Sequence, residues 1–210
     1  MRMKILNRTF LLMGLCVVLS AAARAETDVA GSLYGAFTGT TTSNGVSQSP
    51  SNAAGGLLEL RHIRKTYIGY EATYSYNRGN ESFLKEVTVC PGGTIVSCGA
   101  PTVASVRANA HEVTADWLAS LRILSARPFA LAGGGLLFDV PESGQANTST
   151  ATKGVFVYGA GADWGLLPHI GLRLQYRGNL YQAPNLSKLF TNGNTFTHTA
   201  EPMIGVYFRL

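Results

Sequence analysis

From His169 to Arg177 the chain alternates without a break. Ile170, Leu172, Leu174 and Tyr176 take one side of an extended strand, and Gly171, Arg173, Gln175 and Arg177 take the other. Successive side chains of a strand point to opposite faces, whereas a helix would scatter these residues around its circumference. The same period of two recurs from Tyr67 to Asn77, where Ile68, Tyr70, Ala72, Tyr74 and Tyr76 oppose Gly69, Glu71, Thr73 and Ser75. It returns from His111 to Leu121, with Val113, Ala115 and Trp117 against Glu112, Thr114 and Asp116. A stretch of roughly 9–11 residues with one apolar and one polar face is what a bilayer-crossing strand needs, since one face meets lipid and the other the lumen.

This patterning predicts strands near 29–40, 54–63, 67–77, 109–122, 128–139, 154–165, 169–180 and 198–210. Three connections are short: Arg64-Lys65-Thr66, Ser125-Ala126-Arg127-Pro128 and Leu166-Leu167-Pro168. The other four, 41–53, 78–108, 140–153 and 181–197, are long and rich in Ser, Thr, Asn and Gly. Short turns on one rim and long loops on the other predict an all-β fold, an eight-stranded antiparallel up-and-down transmembrane β-barrel with its long loops outside. Gly133-Gly134-Gly135 blurs the faces of the fifth strand, and Phe83 to Val89 is read as a hairpin extension of the wall beyond the membrane.

The first residues read as an address. Arg2, Lys4 and Arg8 precede an apolar run from Phe10 to Leu19, and Ala23-Arg24-Ala25 offers the small-x-small pattern of a signal peptidase site. Residues 1–25 are therefore expected to be a cleaved Sec signal peptide, with residues 26–210 forming the barrel; Leu15 before Cys16 argues against a lipoprotein. Four of the 17 basic residues (Arg2, Lys4, Arg8 and Arg24) lie in the leader, leaving 13 against 12 acidic ones, so the net +5 of the whole chain falls to near +1. That excludes a basic nucleic-acid footprint. Of the cysteines, Cys90 and Cys98 flank Pro91, Gly92 and Gly93, and in an oxidising compartment such a pair is expected to be a disulfide stapling its loop.

Alternation places Glu59, Glu71, Glu112, Asp116, Asp163 and Glu201 in the lumen with Arg61, Arg122, Arg173, Arg177 and Arg209. Eight strands leave an interior that side chains just fill, so these near-balanced charges are expected to pair as a network and plug the barrel. The alternative is that Arg173 and Arg177 line a solute path. Trp117 and Trp164 are expected to face lipid near the periplasmic interface, with Tyr70, Tyr74, Tyr76 and Tyr158 completing an aromatic girdle nearer the outer face.

The stretch from Tyr158 through Asp163, Trp164 and His169 to Arg173 and Arg177, GAGADWGLLPHIGLRLQYR in its body, is similar to a hairpin common in outer-membrane barrels. With the leader and the loop pattern, the mature chain resembles the outer-membrane β-barrel domain family, the OmpA/OmpX-like and opacity-porin-like barrels. The resemblance implies a bacterial outer-membrane location, contact with outer-membrane lipid and delivery by the barrel-assembly machinery. The last strand alternates Ile204, Val206, Phe208 and Leu210 with Met203, Gly205, Tyr207 and Arg209. It is similar to the terminal signal that machinery reads, through Val206, Phe208 and Leu210, although Leu replaces the usual terminal Phe.

No metal spacing, phosphate loop or nucleophile elbow stands out, and no cofactor is expected. His62, His111, His169 and His198 are spread over separate strands and turns. A set of His198, Ser187 and Glu201, or His111 with Ser105, lacks a recognisable motif. The expectation is a non-enzymatic structural or surface-interaction barrel serving envelope integrity or adhesion, with loops 78–108 and 181–197 offered to an extracellular partner. The alternatives are a narrow channel for small or apolar solutes and a lipid A-modifying enzyme.

Overall fold

A computed structural model describes residues 26–64, 67–85, 102–190 and 195–210. Ten strands follow one another: β1 (Glu26–Thr38), β2 (Thr41–Ser43), β3 (Val46–Pro50), β4 (Ala53–Ile63), β5 (Ile68–Lys85), β6 (Thr102–Ser120), β7 (Ala126–Pro141), β8 (Ala151–Gly165), β9 (Ile170–Gln182) and β10 (Phe196–Arg209). Among the described residues there is no helix. Eight strands form a closed ring in the order β4-β1-β10-β9-β8-β7-β6-β5, with β5 returning to β4 and every ladder antiparallel. Closure leaves no edge in the ring, which is the condition for strands to cross a bilayer with all backbone groups paired.

The exterior is apolar where lipid would touch it: Leu33 and Trp117 are 72% and 71% exposed, and Leu58, Val113, Phe156 and Ile204 share that surface. The interior of the same strands carries Arg61, Arg173 and Arg177 at 0% exposure. This inversion of the usual inside-apolar rule identifies a transmembrane barrel.

Three expectations about the elements need correcting. The gap 41–53 is not a plain loop, since β2 and β3 form a hairpin there and β3 pairs with β5. Its turn is Asn44-Gly45, both at positive φ (53° and 70°), the two-residue geometry that Asn-Gly favours. The gap 78–108 likewise shrinks from both ends, because β5 continues to Lys85 and β6 begins at Thr102. Above the membrane neither face of a strand need be apolar, so these extensions read as loop by composition. Phe83, Leu84 and Lys85 do belong to β5, while Glu86–Val89 lie outside the described residues, as do Cys90, Cys98 and the leader. Finally, β6 ends at Ser120, which leaves Leu121 and Arg122 in the turn.

The fifth membrane strand, β7, carries Phe129, Leu131 and Leu137 as buried inward residues. One side of the lumen is thus apolar, which explains why its faces could not be told apart by polarity. Gly133, between them, faces β6, where a methyl group would overlap the Asp116 carboxylate and the Ala115 carbonyl.

Candidate functional site

The lumen holds the chain's densest chemistry, and it is layered. At the short-turn rim Glu26 accepts from Arg122 (3.0 Å) and from Arg127 and forms an ion pair with Arg209 (2.6 Å), while Arg209 also lies 3.5 Å from Asp28. Arg122 is more than half exposed, so it is a rim residue and not a member of the lumen. The reason is the early end of β6, which breaks the alternation on which that placement rested. Arg209 is also at the mouth, 30% exposed.

Above the rim sits a belt of three fully buried arginines. Arg61 donates to Glu71 through Nε (2.9 Å) and Nη2 (2.7 Å), and through Nη1 to Asp163 (3.0 Å). Arg173 grips Asp163 with Nε (2.7 Å) and Nη2 (3.0 Å) and reaches Glu59 with Nη1. Arg177 lies 3.3 Å from Glu71 and 3.2 Å from Asp116, and it donates to Thr114 (3.0 Å). Thr114 in turn donates to Asp116 (2.9 Å), so in the Thr73–Thr114 pair (2.7 Å) Thr73 is the donor. The planar guanidinium fork suits this, since one arginine can hold carboxylates from two strands.

These links cross the lumen. In the ring β4 stands opposite β8, and β5 opposite β9, so Arg61–Asp163 and Arg177–Glu71 each span a diameter. Aromatic rings close the remaining space. Arg61 sits 4.1 Å from the Phe129 ring centroid, and Arg173 lies 5.6 Å from Phe129 and 5.5 Å from Tyr207. Tyr207 fits because it lies on Gly171, where a Cβ would overlap its ring.

With Arg122 and Arg209 at the rim, the closed interior has three of the five expected bases against Glu59, Glu71, Glu112, Asp116, Asp163 and Glu201. The expected balance is therefore corrected to an acidic excess, and the excess lies on the long-loop side. There Glu112, Asp139 and Glu201 line a small cavity, ≈ 70 Å³, with Asn179, Ser75 and Tyr181. A cavity of that size has room for a few waters. Asn179 donates to Glu112 (3.1 Å), and Arg177 is 4.0 Å from the same carboxylate.

The cavity is roofed by the chain between β9 and β10. Leu186 and Phe190 are buried against Val46, Phe83, Val106 and Ala108. Gln48 donates to the Pro184 carbonyl (2.9 Å), and the backbone N–H of Ser149 donates to the Leu186 carbonyl (3.0 Å). Part of the 181–197 segment, expected to face a partner, is thus folded inward. The cause is its apolar content, which a loop in water would leave exposed.

On the outer wall Trp117, Trp164, Tyr70, Tyr74, Tyr76 and Tyr158 all point away from the lumen. Tyr70 lies opposite Trp117 in the β5–β6 ladder, so it belongs to the short-turn interface and not to the outer one. His111 accepts or donates at Tyr74 (2.9 Å) and its ring lies 5.1 Å from that of Tyr76; His198 pairs with Tyr158 (3.0 Å). His198 faces outward on β10 and Glu201, an odd number of residues on, faces inward. Alternation missed Glu26, Asp28, Arg127 and Asp139 as ion-pair or cavity residues; each keeps the phase of its strand, and strand ends set too short hid most of them.

No known protein family and no curated protein sequence matches the chain. Solved structures do. The neisserial surface protein NspA aligns with TM-score 0.57 at 13% identity, over 90% of this chain and 98% of that one. OprG of Pseudomonas aeruginosa aligns with TM-score 0.55 at 10% identity (89% and 96%). Ail, the attachment invasion locus protein of Yersinia pestis, solved in complex with the heparin analogue sucrose octasulfate, aligns with TM-score 0.53 at 14% identity (89% and 99%). At such identities the likeness is one of fold: the eight-stranded outer-membrane β-barrel.

Proposed function

We propose that this outer-membrane β-barrel is a non-conducting, non-enzymatic envelope protein whose lumen is a structural plug and whose work is done at its outer surface. The observation that carries the reading is the arginine belt, in which Arg61 and Arg177 tie opposite walls together at zero exposure. Permeation would require breaking buried charge pairs, at a cost of several kcal/mol for each charge left unpaired. The roof formed by Leu186 and Phe190 supports the same conclusion from the other end. A lipid-modifying activity built on His198 and Glu201 is disfavoured because the two project from opposite faces of β10.

What stands proud supports an interaction role. β5 and β6, at 18 and 19 residues, each run about 60 Å along the strand, against the 9–11 residues a crossing needs. With β2 and β3 they raise a ridge above the bilayer. A disulfide between Cys90 and Cys98, in the stretch of chain that joins β5 to β6, belongs to the same proposal; exported protein whose two cysteines react with a thiol label without prior reduction would remove it from the picture. The function is tested by planar-bilayer recording of the refolded full chain. Silence at all voltages is expected, and steady discrete openings would overturn the plug.

A further inference from the structure

We propose a binding site for an anionic phosphate headgroup of the outer leaflet on the outer wall of β5 and β6, built by Arg78 and Arg107; this rests on the membrane-embedded reading above. The outward positions of these two strands form a stripe that changes character with height. Trp117 and Tyr70 mark the short-turn interface, Val113 and Tyr74 the middle, and His111 and Tyr76 the upper part. Directly above come Asn109 paired with Arg78, then Arg107 paired with Asn80. From Trp117 to Arg107 is about 34 Å along the strand, or about 26 Å along the membrane normal at the usual tilt of roughly 40°. The apolar band of such barrels is about 25 Å tall, so the guanidinium groups stand at headgroup depth. On the neighbouring strand the apolar wall ends at the same height, at Val140, with Glu142 above it.

The site is built, not incidental. Both arginine side chains are half exposed, and both contact one carboxylate, Glu142, Arg78 directly and Arg107 at 3.7 Å. Two arginines sharing a carboxylate keep a net positive charge and already hold the donor arrangement that a phosphate oxygen set takes. Beside them Ser51, Asn52, Gly79 and Asn80 complete a surface cleft of ≈ 260 Å³ with neutral hydrogen-bonding groups. Arg107 is fixed at three points: its Nε donates to Asn80 (3.2 Å), its N–H to Gln145 Oε1 (2.9 Å), and its carbonyl accepts from Gln145 Nε2 (2.7 Å). Glu142 is then a competitor for the headgroup. Removing its charge frees both arginines.

The test is thermal unfolding of the full chain in phosphatidylcholine vesicles with and without a minor fraction of lipid A, read as the rate of loss of heat-modifiable gel mobility. Insertion into plain phosphatidylcholine checks the barrel by itself. Lipid A is expected to slow unfolding of the parent, and the Arg78→Gln/Arg107→Gln double variant to lose about tenfold of that protection, the factor for one charge-assisted hydrogen bond. Glu142→Gln is expected to increase it. Equal protection of parent and double variant, or no protection of the parent, overturns the site. So does equal protection by inorganic phosphate or by a soluble sulfated saccharide without lipid A, since either would assign the arginines to a soluble anion.

Discussion

The guanidinium of Arg61, on β4, lies 4.1 Å from the centre of the Phe129 ring, on β7, and both are buried inside the barrel. The ring screens a charge that already serves Glu71 and Asp163, so apolar and ionic parts of the lumen share one contact.

Phe129→Ala should therefore be costly twice over. The cavity alone is worth about 3–5 kcal/mol, and a desolvated cation–π contact adds up to about 2 kcal/mol. Phe129→Leu should restore much of the first and none of the second. Urea unfolding in detergent micelles measures both, and a Phe129→Leu midpoint equal to the parent's would mean the ring's charge contact contributes nothing.

Arg177→Met should open the plug. It leaves Glu71 and Asp116 without their shared partner, a loss of about 3–5 kcal/mol, and joins the outer cavity to the space below. Brief channel openings in a planar bilayer are expected from this variant and not from the parent. A variant as silent as the parent would show that the aromatic rings seal the lumen without it.

The outer mouth should loosen as pH rises. Glu81, on the part of β5 above the membrane, has its carboxyl pushed up to about 8, first by burial and then by the Asp139 charge, and the hydrogen bond from Gln48 (2.7 Å) only partly offsets this. In the unfolded chain the value is about 4.5. Between these limits the folded chain binds more protons than the unfolded one, so stability is full below about 4.5, falls as pH climbs and levels off above about 8. Amide-exchange protection factors, which remove the intrinsic pH dependence of exchange, should fall across that window at 46–49 and 185–190, and Glu81→Gln should flatten the profile. A parent protein with a flat profile would refute the assignment.

Leu186→Asp should release the roof while sparing the wall. A charge cannot stay among Val46, Phe83 and Val106 unpaired. Limited proteolysis is then expected to nick the chain within 181–197, with heat-modifiable mobility retained. Resistance equal to the parent's would mean the segment is held by its backbone bonds to Ser149 and Asn147 alone.

The membrane-crossing parts were legible because lipid and lumen impose opposite chemistry on alternate residues. His169–Arg177 and Tyr67–Asn77 could hardly be read otherwise. Legibility failed where that constraint lapses. Between Phe129 and Leu137 β7 is apolar on both its faces, Arg122 lies past the end of its strand, and the upper parts of β5 and β6, with β2 and β3, have no lipid on their outer face to impose the alternation. The inward turn of Leu186 and Phe190 depends on contacts with strands far away in the chain, which no local pattern announces.

The roof also sets an order of assembly. Leu186 and Phe190 rest on residues from β3, β5 and β6, strands that pair with one another early in the chain and meet the β9–β10 segment only when the last strands have curled round to the first. Because of that dependence, docking of this segment is a late event that reports a completed circuit. A barrel arrested with its seam open would display two unhoused apolar side chains at its rim, and so carry a visible mark of being unfinished.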